Sequence, residues 1–502
     1  MKPQSSVPSR NLRTGFTSLL LFVLLISTAG CVPRIQPGAL GLDPTSTQAP
    51  TAKASAATPL PTRPLYTPGE LVDYTAQTGD TLPFLAVRFN TTEAEIRAAN
   101  PIIPSDATTM PPGMPMKIPI YYQPFWGSPY QILPDSLFVD GPAQVGFDTI
   151  GFVKSQPGWL KDYQFFVGDR TLVGGELVDQ VATDYSLSPR LLLAIIEFQS
   201  HALSDPTLPD NDDAYYLGQS SQSDRGMYRQ LLWLANFLND TYYSFKSGLL
   251  TQWDLQDGRI ERPDPWQNAA SVALQYYFGR ILPVVDYQKA ISSSGLSATY
   301  KKLFGDPWNN VKPHIPGSLV QPPLDFPFPA GHTWAFTGGP HTGWGSGQPY
   351  AALDFAPPAV ASGCLPSNEW ATAVADGIVA RTGNASIELD LDGDGHTQTG
   401  WVIFYLHLSN ASLVPAGTKL KAGDPVGHPS CEGGNATGTH VHVVRKFNGE
   451  WIPGGGTLAY NLEGWVAHAG SVAYEGTLVK ATKTIRACTC SDQYSFVTAG
   501  GN

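Results

Sequence analysis

Apolar and polar positions along the chain change rhythm four times. Residues 19–26 (Leu-Leu-Leu-Phe-Val-Leu-Leu-Ile) form one short, unbroken apolar run. In the next compact stretch, Asp73-Tyr74-Thr75-Ala76 leads into Thr78-Gly79-Asp80-Thr81-Leu82, a short strand closed by a turn. Leu85, Phe89, Ile96 and Ala99 then recur at helical spacing and predict two short amphipathic helices. Thr91 and Thr92 ahead of Glu93 and Glu95 mark a helix start, Asn100-Pro101 a stop, and Met116-Lys117-Ile118-Pro119 a second strand. Residues 67–123 therefore read as a βααβ unit. Residues 124–318 are mainly helical. Ser188 caps a helix with Pro189 in its first turn, the apolar run from Leu191 onwards is a buried helix, and residues 227–238 and 267–282 are further helices. Residues 319–475 switch to short alternating runs. Residues 370–379 read as strand, turn and strand, residues 401–407 and 441–444 as strands, and the whole as an antiparallel β-sandwich. Residues 476–502 read as a C-terminal tail. The fold class is multidomain α+β.

Composition sharpens this picture. At roughly 100–200 residues per domain, the 502 residues suit about three domains. Hydrophobic residues make up 42% and charged residues 15%, ample for cores, while 50 Gly and 44 Pro favour turns over long helices. A net charge of -11 argues against binding a phosphate backbone, so nucleic acid is not an expected partner. Lys2, Arg10 and Arg13 precede the first apolar run, and no acidic residue comes before Asp43. A basic start, a short apolar core and small residues describe an export signal over residues 1–31. The ending Ser27-Thr28-Ala29-Gly30-Cys31 resembles the bacterial lipoprotein cleavage box, which implies lipidation of Cys31 and a membrane anchor on the outer face. Residues 32–66, rich in Pro, Thr and Ala, read as an extended tether.

The βααβ order with Tyr74, Gly79-Asp80-Thr81-Leu82, Asn100-Pro101, Gly113 and Ile118-Pro119 resembles the LysM module. That resemblance implies binding of N-acetylglucosamine chains through loops that contain Gly79, Asp80, Thr81, Asn100 and Ile102. The helical region resembles the lysozyme-like fold of lytic transglycosylases, where a helix of this kind ends in a catalytic Glu followed by Ser. Here Gln199 precedes Ser200, and Glu197 lies nearly on another face. A Gln cannot protonate a glycosidic oxygen, so the expectation is a non-catalytic domain.

Chemistry concentrates in residues 319–475. Gly339-Pro340-His341, Ala352-Leu353-Asp354-Phe355, Tyr405-Leu406-His407-Leu408 and Thr437-Gly438-Thr439-His440-Val441-His442 stand out against apolar strands. Strand alternation turns His440 and His442 to one side, as a metal with an open coordination position requires. The set resembles the lysostaphin/LytM family of zinc peptidases, which cut peptide bonds in peptidoglycan. By motif, His341, Asp354 and His442 are zinc ligands and His407 and His440 the catalytic pair. One His takes a proton from water and the other holds the oxyanion. Twelve residues separate His341 from Asp354, wider than the family spacing, so residues 344–350 read as an insertion and His332 is the reserve ligand. Asp390, Asp392 and Asp394 match the start of a calcium loop, although Trp401 stands where its bidentate Glu belongs. Of the five cysteines, Cys364 and Cys431 are the preferred disulfide, and Cys488 and Cys490 are too close in sequence to bridge easily.

The expectation is an exported, lipid-anchored zinc endopeptidase of the cell envelope. The alternative is a non-catalytic peptidoglycan-binding scaffold or an activator of another hydrolase.

Overall fold

The computed structural model describes residues 65–501 apart from 211–213, 310, 360 and 491. The expected signal segment, nearly all of the tether, and Cys31 lie outside the described residues. Among the described residues, no helix is long and apolar enough to cross a membrane.

The chain opens with β1 (Glu70–Thr75), α1 (Leu82–Arg88), α2 (Glu93–Ala99) and β2 (Pro115–Ile120), β1 and β2 pairing antiparallel. Thr81 caps α1, and Thr92 with Glu95 forms a reciprocal capping box on α2. Arg88 ties this unit to the next. Its guanidinium pairs with buried Asp80 at 3.0 Å and donates to the carbonyls of Pro265 and Gln267.

The helical region follows with α3 (Thr149–Ser155), a hairpin of β3 (Gln164–Val167) and β4 (Arg170–Val173), α4 (Gly174–Tyr185) and α5 (Pro189–Ser200). After α6 (Met227–Lys246) come a small hairpin of β5 (Trp253–Asp254) and β6 (Ile260–Glu261), then α7 (Ala269–Ile281), α8 (Val284–Ala290) and α9 (Leu296–Phe304). Helix α5 is buried along most of its length, as its unbroken apolar run requires. Glu197 accepts from Leu203 N and Ser204 Oγ, and Gln199 donates to the Tyr277 hydroxyl, so both side chains brace the fold.

The last region holds β7 (Thr333–Thr342), β8 (Tyr350–Ala356), β9 (Ala371–Thr372), β10 (Gly377–Gly383), β11 (Ser386–Asp390), β12 (Trp401–Leu406), β13 (Lys419–Leu420), β14 (Pro425–Gly427), β15 (Val441–Phe447) and β16 (Glu450–Trp451). It ends with β17 (Asn461–Leu462), β18 (Trp465–Ala469), β19 (Gly476–Lys480), β20 (Lys483–Arg486) and β21 (Phe496–Thr498). Instead of two stacked sheets of similar size, one nine-stranded antiparallel sheet dominates, in the order β13-β10-β11-β12-β15-β8-β7-β21, with β16 beside β15. A four-stranded sheet, β17 to β20, packs near β7. Residues 476–502, expected as a tail, therefore carry strands. Leu478, Ile485 and Val497 alternate into the core, and β21 closes the edge beside β7.

The nine-stranded sheet is covered on both faces. Leu353, Ile403, Tyr405, Val441 and Val443 share a core with the four-stranded sheet. Phe404, Leu406, Val444 and Trp451 share the core of the helices. Burial on both sides explains why these strands read as continuous apolar runs.

Charges cross the helical interface as a buried ladder in which Arg381 binds Asp184 and Glu388, and Lys446 binds Glu388. Asp140 sits beside this ladder and accepts from Gln398. Burial pushes its carboxyl up to about 7. An unfolded Asp titrates near ~3.9, so the folded state holds this proton more tightly than the unfolded chain. The associated stability is present below about pH 4 and is lost as pH rises through about 7. Asp140→Asn is expected to remove that loss and to exceed the wild type in stability above pH 7, as measured by urea unfolding at pH 5 and pH 8.

Candidate metal centre

Strand pairing assembles the centre. His442 on β15 lies opposite Asp354 on β8, and on its other side opposite Leu406 on β12. Strand β7 reaches the same spot only through irregular register with β8: Gly338 pairs with Asp354, then His341 with Ala352. Such bulges re-aim a side chain without ending the ladder. The insertion noted in the sequence is the β7–β8 turn, so the long His341–Asp354 spacing still brings the two side chains within 3.2 Å of each other. His332 is not there. It is exposed and pairs with Glu369 at 3.1 Å.

Three ligand atoms converge. His341 Nε2 lies 3.1 Å from His442 Nδ1 and 3.2 Å from Asp354 Oδ1, and His442 Nδ1 lies 3.1 Å from Asp354 Oδ1. All three side chains are buried. The far side of each ring faces a carbonyl: His341 Nδ1 meets Gly339 O at 2.8 Å, and His442 Nε2 meets Gly343 O at 3.0 Å. A carbonyl only accepts, so the nitrogen facing it carries the hydrogen and, in the neutral ring, the inward nitrogen presents its lone pair. Ligand atoms ~2.0 Å from a tetrahedral zinc lie about 3.3 Å apart, close to the spacing found here. Three lone pairs at this distance fit a cation and little else.

The local electrostatics agree. Burial alone would raise Asp354, yet His341 and His440 hold its carboxyl well below the usual range. Burial pulls His341 down, but the Asp354 carboxylate outweighs it and lifts the ring above its ordinary value. In effect this site attracts positive charge, whether a proton or a metal. Burial lowers His442, which suits a neutral ligand.

His407 and His440 flank the ligands with ring centroids 4.6 Å apart. His407 follows the end of β12 with φ 63, a left-handed turn that His tolerates better than most side chains. Its Nδ1 donates to Glu432 O at 2.8 Å, and His440 Nδ1 donates to Gly438 O at 2.7 Å. Each ring is left with Nε2 free of its own hydrogen. His440 Nε2 lies 3.7 Å from Asp354 Oδ1. Burial, then His440, pushes His407 down to about 4, so it is neutral at physiological pH.

Two supports had no signal in the sequence. The Tyr474 ring stacks on His341 at 4.1 Å, brought there by a turn whose carbonyl accepts from Gly339 N. The β7–β8 turn is pinned from the helical region, where Asn236 accepts from Ser346 N and Asp240 from Gln348 N. Gly343, which orients His442, belongs to that turn. The disulfide Cys364–Cys431, Cα atoms 5.7 Å apart, joins two loops beside His440, and Thr439 N donates to Gly363 O. Cys488 and Cys490 also form a disulfide, against expectation; their Cα atoms lie 5.1 Å apart, within bridging range although one residue separates them.

Asp390, Asp392 and Asp394 bring their carboxylates within 4.8 Å of one another in the turn after β11. The expected glycan-binding residues are mostly committed elsewhere. Asp80 binds Arg88 and Tyr74, Thr81 caps α1, Asn100 bridges Ile96 and Lys117, and Gly79 faces Lys246, while Ile102 is exposed.

The antiparallel sheet thus carries a buried two-His, one-Asp group that could hold a metal ion, flanked by two further histidines. Residues 131–317 match the family model described as LasA, N-terminal domain, and residues 74–119 match the LysM domain. The β-lytic metalloendopeptidase of Lysobacter enzymogenes is 31% identical over 160 residues, covering 30% of this chain and 83% of that protein. Protease LasA of Pseudomonas aeruginosa is 27% identical over 338 residues, covering 64% of this chain and 74% of that protein. Among solved structures, the deep-sea M23 metalloprotease pseudoalterin aligns at 23% identity with a TM-score of 0.29, covering 34% of this chain and 96% of that one. The chain belongs to the family of the β-lytic metalloendopeptidases.

Asp240→Ala is expected to leave the ligands in place and weaken zinc binding by about tenfold, because it frees the turn that orients His442. Competition against a chromogenic chelator measures this.

Proposed function

We propose that this chain is an exported zinc endopeptidase that hydrolyses peptide bonds in the stems or cross-links of peptidoglycan. The observation that carries the reading is the trio of converging ligand atoms at His341, Asp354 and His442, with the His407 and His440 rings beside them. A LysM module in the same chain and relatives named as metalloendopeptidases support a cell-wall substrate. Disulfides and the export-type N-terminal pattern support a location outside the cytosol, with Cys31 as the lipid-bearing residue. The three clustered carboxylates at Asp390, Asp392 and Asp394 support calcium as a second, structural ion.

Zinc held by the three ligands supplies Lewis acidity and nucleophilic water at neutral pH. The protein's own groups manage the proton. His440 accepts it at Nε2, which lies 3.7 Å from Asp354 Oδ1. The same His440 Nε2–H then gives that proton to the leaving amine, while His407, kept neutral by burial, stands beside it with the two ring centroids 4.6 Å apart. The backbone carbonyls of Gly438 and Glu432 keep both rings in the tautomer this requires.

The test is zinc content together with release of new amino groups from purified peptidoglycan. Wild type is expected to bind one zinc and release amines. His442→Ala should lose both, whereas His440→Ala should keep zinc and lose activity by about 100-fold or more. A zinc-loaded wild type that releases no amines would leave a wall-binding scaffold.

A further inference from the structure

Residues 314–319 run through the groove between the β1–α1 turn and the α2–β2 connection of the LysM module, the two loops to which the sequence resemblance assigns glycan binding. Thr78 Oγ1 accepts from Ile315 N at 2.9 Å and donates to Ile315 O at 3.3 Å. Across the groove, Thr109 Oγ1 donates to Pro316 O at 2.7 Å and accepts from Leu319 N at 3.0 Å. Thr109 O accepts from Ser318 N, and Thr108 Oγ1 donates to Leu319 O. Ile315 is buried, with its side chain next to Gly79. Gly317 passes so close to Pro111 that a Cβ there would lie 2.7 Å from the Pro111 Cα.

These contacts read main-chain amides and little else. The acetamido group of an N-acetylated sugar offers the same pair, an N–H donor and a C=O acceptor on a planar amide. A groove that satisfies amides with hydroxyls and a carbonyl is therefore chemically suited to both.

We propose that residues 314–319 act as an intramolecular ligand of the LysM module and compete with N-acetylated glycan for its groove. This rests on the LysM module being a glycan binder, as read above. In the intact chain glycan binds only when the segment leaves, so the apparent affinity is reduced by the small fraction of molecules with an open groove. The other face of the segment is held by the catalytic region, with Asn448 donating to His314 O and His314 bonded to Glu450.

The test uses the full chain and N-acetylglucosamine hexamer as the probe. Gly317→Val places branched carbon against the Pro111 backbone and should expel the segment while leaving the LysM surface unchanged. Calorimetry is expected to give at least about tenfold tighter hexamer binding to Gly317→Val than to wild type. Independently, saturating hexamer should speed hydrogen exchange at the Ser318 and Leu319 amides of the wild type, a readout that survives if the variant folds poorly. Equal affinities with unchanged exchange would overturn the competition and leave glycan binding intact. No hexamer binding to either protein would remove the glycan reading, and the competition with it.

Discussion

The catalytic region depends on one electrostatic constraint: three ligand atoms held 3.1–3.2 Å apart in a buried pocket. Without positive charge that arrangement is repulsive, and burial prevents water from screening it. The protein holds it by controlling where the hydrogens are. Backbone carbonyls at Gly339 and Gly343 claim one nitrogen of each ligand ring, and those at Gly438 and Glu432 do the same for the flanking rings. Side-chain identity alone does not make the site. The loops that aim those carbonyls are equally part of it.

Register is the second condition. A slip of one residue in β15 would carry His442 away from Asp354 and into the apolar layer shared with the four-stranded sheet. The same slip would bury Lys446 in that layer, away from Glu388. An unpaired buried charge costs about 3–5 kcal/mol, so the ionic ladder holds the register that the metal site needs. Because the ladder continues through Arg381 to Asp184, the helical region takes part in that specification.

The clustering of His407, His440 and His442 was legible because strand periodicity and residue chemistry coincide there. Tyr405 to Leu408 and Thr437 to His442 carry their geometry in their own alternation. The choice of His341 over His332 was not legible locally, since it depends on bulges in β7 that form only against β8. Tyr474 escaped notice for a related reason: it reaches His341 from a turn more than a hundred residues away in sequence. The LysM residues were recognised correctly as a pattern, but the pattern marks turns and caps. Asp80 and Asn100 are buried to hold their own loops, which a motif cannot distinguish from binding. Residues 476–502 looked like a tail because their strands are short and complete sheets begun elsewhere.

The junction of the regions joins the LysM module and the catalytic region into one body. Glu450 on β16 is buried and meets Lys246 of α6, the Tyr242 hydroxyl and His314. Those partners hold its carboxyl down to about 2 against the opposing effect of burial, so it stays charged across physiological pH. Strand β16 pairs with β15, the strand that carries His442, while His314 begins the segment that fills the LysM groove. One buried carboxylate thus anchors the helices, the groove segment and the base of the catalytic strand together. Any movement of that segment must first break or carry along the His314–Glu450 bond, so an effect of groove occupancy on the metal centre has a short, specific route through β16 and β15.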